Sequence, residues 1–293
     1  MSTKIPSQGA VSEPQPTALS PMERVRWNYR TLYEQPVVKG AVQGAVVGIL
    51  TVGGLGPGLY WMNRSSNNLT FIPRECLRGT GLLAMSVVPT TVAAVTMDTL
   101  GRKALTREDV PPTNLQKVGI ATLSGFASGV VGTFPENVAL NLQNHNDPKE
   151  ATVIAMTRRI YRIGGVAGLM RGWKWGGMRE AQMGPSWLIL SDLVAEKMES
   201  AISNPLVSLL VASWIVGAAV GVASNPTNVM RARIQNTSRT DAKPPSFRHI
   251  WRDVATGIGK AAFPRMVICS GGSVLMVGGR RLIFGAPEQP KKS

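Results

Sequence analysis

The chain has 293 residues, 44% of them hydrophobic, with 32 basic and 17 acidic side chains. Its mean hydropathy of +0.04 is high for a soluble protein carrying that much charge. A net charge of +15 would suit nucleic-acid binding in a soluble protein, but the charges are segregated into loops, which argues for a membrane topology and against a nucleic-acid partner. Cys76 and Cys269 are too far apart in sequence to suggest a disulfide framework or a metal site. His145 and His249 read as solvated loop residues, and no nucleophile–base set stands in a plausible context, so no enzyme is expected.

Residues 1–20, rich in Pro, Ser, Gln and Thr, read as a flexible tail without a secretory or transit signal. Residues 21–35 fit either an interfacial helix, with Arg24, Arg26 and Arg30 at headgroups, or a solvated linker. Four stretches then carry no charge: Gly40–Asn63, Gly79–Met97, Val118–Phe134 and Leu206–Met230. Each is long enough to cross a hydrocarbon core of about 30 Å. Ala181–Ser191 and Met266–Gly279 are shorter uncharged stretches and complete a set of six spans.

The loops alternate in charge. Asn63–Arg78 has three basic residues to one acidic, Asn144–Lys174 six to two, and Arg231–Lys260 seven to two. The intervening Asp98–Lys117 has four to three and Asp192–Asn204 one to three. Basic loops stay on one side of a membrane, so both termini are expected opposite them. Within the basic loops, Asp147–Ile163 and Pro245–Val254 fit amphipathic helices, the first with Ile154, Met156, Ile160 and Ile163 as its apolar stripe. The first, third and fifth spans repeat glycine every four residues: Gly40, Gly44 and Gly48, then Gly125 and Gly129, then Gly217 and Gly221. That spacing puts the glycines on one helix face and lets a second backbone approach.

A longer period underlies this pattern. Pro226-Thr-Asn228-Val-Met-Arg231-Ala-Arg233-Ile-Gln235 follows Pro135-Glu-Asn137-Val-Ala-Leu140-Asn-Leu142-Gln-Asn144 by 91 residues, and Pro57-Gly-Leu59-Tyr-Trp-Met62-Asn-Arg64 precedes that by 78. Gly164-Gly-Val-Ala-Gly168-Leu-Met-Arg171-Gly172, Leu77-Arg78-Gly79 and Phe263-Pro264-Arg265-Met266 form a second repeated element. The chain resembles the mitochondrial carrier family over roughly residues 37–284, most specifically in the third repeat. The resemblance implies an all-α membrane protein of six transmembrane helices, in three pseudo-repeats of two spans plus a short matrix-side helix. The repeats fall at about 37–105, 112–200 and 205–284, with a tail and interfacial segment at 1–36 and a second tail at 285–293. It implies helix kinks at Pro57, Pro135 and Pro226.

The family's matrix gate pairs an acid two residues after each proline with a base five after it. Here the acid positions are Leu59, Asn137 and Asn228, and the base positions Met62, Leu140 and Arg231. A ring of three salt bridges therefore cannot form. Glu136 lies one place off, about 100° round a helix, and is expected to be a poor substitute. The bracing glutamine survives only as Gln235, with Ser66 and Asn144 in the other two places. The opposite gate keeps Asp98 and Asp192, with Gly101 and Ala195 where bases belong. By resemblance, Arg179 and Glu180, with Ser86 and Ile268, mark substrate-contact positions suited to an amino-acid-like solute. The competing reading has Arg179 snorkelling to water beside Glu180.

The resemblance implies a multi-pass protein of the mitochondrial inner membrane with both termini in the intermembrane space. It requires no cofactor or metal and is compatible with bound cardiolipin or another phospholipid. With the gates worn, the expectation is a non-transporting structural subunit, its partners the bilayer and other subunits of a larger mitochondrial membrane complex. An active, divergent carrier of a small anionic or amino-acid-like metabolite is the alternative, and a carrier-like receptor or scaffold in the outer membrane a third option.

Overall fold

The computed structural model describes residues 35–105, 112–145, 152–240 and 247–284. The chain divides into two units, Met1–Gly40 and Ala41–Ser293. Almost all of the first, with its expected tail and interfacial segment, lies outside the described residues, as do residues 285–293.

The described residues are helical, with no strand among them. The helices are α1 (Pro36–Gly54), α2 (Gly56–Ser66), α3 (Thr80–Leu105), α4 (Asn114–Gln143), α5 (Val153–Leu169), α6 (Trp173–Pro185), α7 (Ser191–Met198), α8 (Pro205–Ala223), α9 (Asn225–Asn236) and α10 (Phe247–Phe284). Four helical segments are long and apolar enough to cross a membrane: α3, α4, α8 and the Ala261–Phe284 part of α10. The α1–α2 pair makes a fifth if its two halves form one broken span.

Local sequence explains several boundaries. Thr113 opens α4 with a reciprocal cap: its Oγ1 accepts from the Gln116 N–H at 3.3 Å, and Gln116 Oε1 accepts from the Thr113 N–H at 2.8 Å. Asn204 Oδ1 accepts from the Leu206 and Val207 amides ahead of α8, whose first residue is Pro205. The bend of 69° between α1 and α2 falls just before Pro57. Pro226 sits in the first turn of α9, after a one-residue break at Ser224. Pro135, in contrast, lies inside the unbroken α4.

In three places the structure differs in detail from the expected pattern. The fourth expected span is helical but is not one of the long apolar helices; it breaks into α6, a π-turn at Ser186–Leu190 after Pro185, and α7. Arg179 and Glu180 also keep it from being an apolar run. Among the described residues, a separate amphipathic helix forms only in the second basic loop, as α5. The first basic loop has a single 3-10 turn, Pro73–Glu75, and Phe247 onward runs without interruption into the last span. On α5 the buried face is Met156 and Ile160, packed with Val138 and Leu142 of α4, whereas Ile154 is exposed.

Close packing falls where the glycines repeat. A methyl group on Gly44 or Gly48 of α1 would meet Thr91 or Val87 of α3. On Gly125 or Gly129 of α4 it would meet the Glu180 or Gly176 carbonyl of α6, and on Gly217 it would lie 2.6 Å from the Cys269 carbonyl of α10. Residue numbers rise on one helix as they fall on its partner, so the first two pairs are antiparallel. Further contacts join α3 to α4 and α7 to α8, and Gly279 of α10 reaches Val47 of α1. The contacts thus run round the bundle and close on themselves.

The outer face is apolar. On α3, Met85, Val88, Val92 and Leu100 are all exposed, as are Leu50 on α1 and Trp214 on α8. A face of this kind suits hydrocarbon rather than water. Gly119 of α4 has no atom within 4 Å of where a Cβ would stand. Gly119→Ala is therefore expected to stabilise the protein by about 0.5–1 kcal/mol, measured by thermal unfolding in detergent.

Candidate functional site

The polar interior lies where α2, α4, α6, α9 and α10 meet. Glu136 stands at its centre. One carboxylate oxygen accepts from Arg179 Nη2 of α6 at 2.6 Å, and the other accepts from Arg231 Nη1 of α9 at 2.5 Å. Arg179 also pairs with Glu180 at 2.5 Å. The Arg179 and Arg231 side chains are buried and those of Glu136 and Glu180 nearly so. One carboxylate therefore ties three helices together in a poorly solvated interior, where charge-assisted bonds are strong and a lone partner is heavily penalised.

This corrects two expectations. Glu136 is the main acid of the site, because the bases that reach it come from α6 and α9 and not only from the family's paired position. Arg179 does not snorkel to water. It is held inward by two carboxylates, so its expected pairing with Glu180 is only half of its environment.

Of the other positions expected in the gate, Asn228 and Ser66 join Asn63 and Gln143 in a neutral polar layer beside Arg231. Arg231 Nη2 donates to Asn228 Oδ1 at 3.1 Å and to Asn63 Oδ1 at 3.4 Å. Asn63 Nδ2 donates to Gln143 Oε1 at 2.7 Å, and Gln143 Nε2 donates to the Arg78 carbonyl. Asn228 Nδ2 donates to Ser66 Oγ at 3.3 Å. Asn137 turns away from the centre and donates to the Gly168 and Leu169 carbonyls at the end of α5. Leu140 is fully buried, and Met62 is buried against Arg265. Leu59 is only partly buried.

Gln235 is buried, but neither its side-chain oxygen nor its nitrogen has a protein partner. Gln143, one residue before the expected Asn144, joins α4 to α2 instead. Arg64, also missed as a site residue, donates to the Gln143 carbonyl at 2.9 Å and to the Thr70 carbonyl at 2.5 Å. Gln143 ends α4, so Arg64 sits on the negative end of a helix dipole. Replacing Asn63 with Ala would strand the Gln143 side-chain oxygen in the interior. A loss of about 1–3 kcal/mol is expected in chemical or thermal unfolding.

The remaining candidates do not join this network. Ser86 Oγ donates to the Leu83 carbonyl of its own helix. Ile268 packs against Gly58 of α2. On the other side of the bundle, Asp98 pairs with Arg102 one turn along α3, at 2.7 Å, and Asp192 of α7 reaches Arg281 of α10 at 3.9 Å. These two pairs are exposed in whole or part and hold little energy. Among the described residues no cluster of His, Cys, Asp or Glu could hold a metal ion.

On the basic-loop side, α5 and the turn after α9 are tied by arginines. Arg159 donates to the Arg239 carbonyl at 3.1 Å, and Arg171 donates to the Thr237 carbonyl at 3.0 Å. Burial, and then the neighbouring Arg159 charge, push the Arg239 pKa below its ordinary value. No protein-family model matches the chain, and no curated protein matches it.

Proposed function

We propose that the chain is a divergent relative of the mitochondrial carriers, a six-span bundle of three repeats that has ceased to transport. In this reading it serves as a membrane-embedded structural or accessory subunit of a larger mitochondrial complex. It resides in the inner membrane, with both termini in the intermembrane space and the basic loops in the matrix. The three glycine-lined helix pairs, α1 with α3, α4 with α6 and α8 with α10, support the three-repeat reading.

The observation that carries the proposal is the Glu136 bridge. A carrier needs a gate whose ion pairs break and re-form as access alternates. Three symmetric pairs at the ends of three helices can do that. Here the three acid positions are Leu59, Asn137 and Asn228, and the ionic contacts are gathered on one carboxylate that holds α4, α6 and α9 together. Opening would strand the buried guanidinium of Arg231 and leave Arg179 with Glu180 alone, and a lone buried charge is penalised by several kcal/mol. The arrangement suits a permanently closed bundle.

A specific observation favours the alternative carrier reading as well. Arg179 and Glu180 remain where a carrier would contact solute, and both point into the interior. If transport exists, it must go through them, and Arg179→Ala would abolish it.

A native gel of mildly solubilised mitochondrial membranes tests the subunit proposal. Migration with a large complex is expected. Migration near 31 kDa plus detergent would count against it.

A further inference from the structure

Three guanidinium groups and two carboxylates lie buried in the centre of the bundle. Glu136 and Glu180 account for Arg179 and Arg231. Arg265 of α10 is left over. It is 3% exposed, and among the described residues no carboxylate lies within ion-pair distance of it. Its Nε and Nη2 donate to Ser224 Oγ at 3.1 and 2.8 Å, and its Nη1 donates to the thioether sulfur of Met62 at 3.6 Å.

These acceptors do not match the group. A guanidinium has five N–H donors and cannot shed its proton in a protein. One hydroxyl oxygen and one thioether sulfur, a weak acceptor, occupy three of the five and carry no charge. Arg64 shows the contrast, because it is equally buried and rests on backbone carbonyls at a helix end. Arg179 and Arg231 each also leave a buried Nε without an acceptor. With Arg64 set aside, since its charge rests on backbone carbonyls, the interior has one surplus positive charge and spare donors. A bare buried charge is among the most expensive features a fold can carry.

We infer that Arg265, with Ser224, binds one small monovalent anion inside the bundle, of the size of a halide or a single carboxylate group. The Ser224 hydroxyl helps, since its own acceptors are long: the Gly221 carbonyl at 3.4 Å and the Met183 sulfur at 3.7 Å. It can turn its hydrogen to an anion while still accepting from Arg265. The depth of Arg265 excludes a lipid headgroup or a partner's acidic side chain as the source. The anion completes the charge of the core whether or not the chain is a carrier, so the two proposals fail independently.

The test uses the full-length protein in detergent at constant ionic strength, with a bulky sulfonate as the background anion. Chloride and formate are titrated separately, and sulfate serves as the control for size and charge. Tryptophan fluorescence reports the melting temperature. A saturable rise of about 3 °C or more is expected with chloride, formate or both. A response to chloride alone identifies a halide site, and one to formate alone a carboxylate site. Arg265→Gln and Met62→Glu are each expected to abolish the response, the first by removing the cation and the second by supplying a carboxylate beside it. If neither variant folds, equilibrium binding of radiolabelled chloride and formate to the wild type decides, with about one site per chain expected. No response and no binding by either anion would overturn the inference, as would a response that survives unchanged in Arg265→Gln.

Discussion

Glu136→Gln is expected to destabilise the protein by about 3–5 kcal/mol, the range found when one partner of a buried ion pair is removed. The substitution is nearly isosteric, so shape is preserved and charge alone is lost. Arg231 keeps only neutral acceptors on Asn228 and Asn63, and Arg179 keeps Glu180. Apart from Arg64, buried positive charge then exceeds negative by two. Unfolding in a mixed-detergent titration, or the yield of monodisperse protein after gel filtration, reads the effect. Glu136→Gln combined with Arg231→Met is expected to recover much of the loss, because the second change removes the stranded cation. A double mutant no better than the single one would show that Glu136 acts without Arg231.

Gly184→Leu is the second large effect. A Cβ at Gly184 would stand 2.5 Å from the Ala121 carbonyl of α4 and 3.2 Å from the Gly125 Cα. Both obstacles are backbone, so relief requires moving a helix and not a rotamer. Overpacking of this kind costs about 1–3 kcal/mol, and more when a whole side chain must be housed. The same helix carries Arg179, so moving α6 off α4 also pulls on the bridge to Glu136. A melting temperature below that of Gly119→Ala by many degrees is expected. Equal stability of the two variants would mean that α4 and α6 do not cross as closely as described.

Much of the scaffold was legible in the sequence because its signals are local. Four of the uncharged runs fall on the long apolar helices α3, α4, α8 and α10, and glycines at four-residue spacing marked faces on which helices meet. Pro57 falls at the sharp α1–α2 bend and Pro226 follows a helix break. The fourth expected span was harder, because Arg179 and Glu180 interrupt its hydropathy and Pro185 precedes a π-turn.

The site was only half legible. Arg179, Glu180 and Arg231 were visible as charges in or beside apolar runs. Glu136 was set aside, since a strict positional pattern expects its acid one residue further on. Partner choice depends on how three helices rotate against one another, and no spacing within α4 encodes that. A simpler signal was present. Glu136 is an acid next to a proline at the end of an uncharged run, and a charge so placed needs a partner wherever one is found. The same rule points to Arg265, which follows Pro264 in the last span. Gln143 and Arg64 escaped notice for a similar reason, because their roles lie in contacts between distant segments.

The central claim, a bundle closed by Glu136 that does not alternate, is tested most directly in liposomes. Purified protein would be reconstituted into vesicles loaded with labelled amino acids, di- and tricarboxylates or nucleotides, and exchange would be followed over minutes. The account predicts no uptake above that of empty vesicles for any of these solutes. Rapid, saturable exchange of any one of them, abolished by Arg179→Ala, would contradict it.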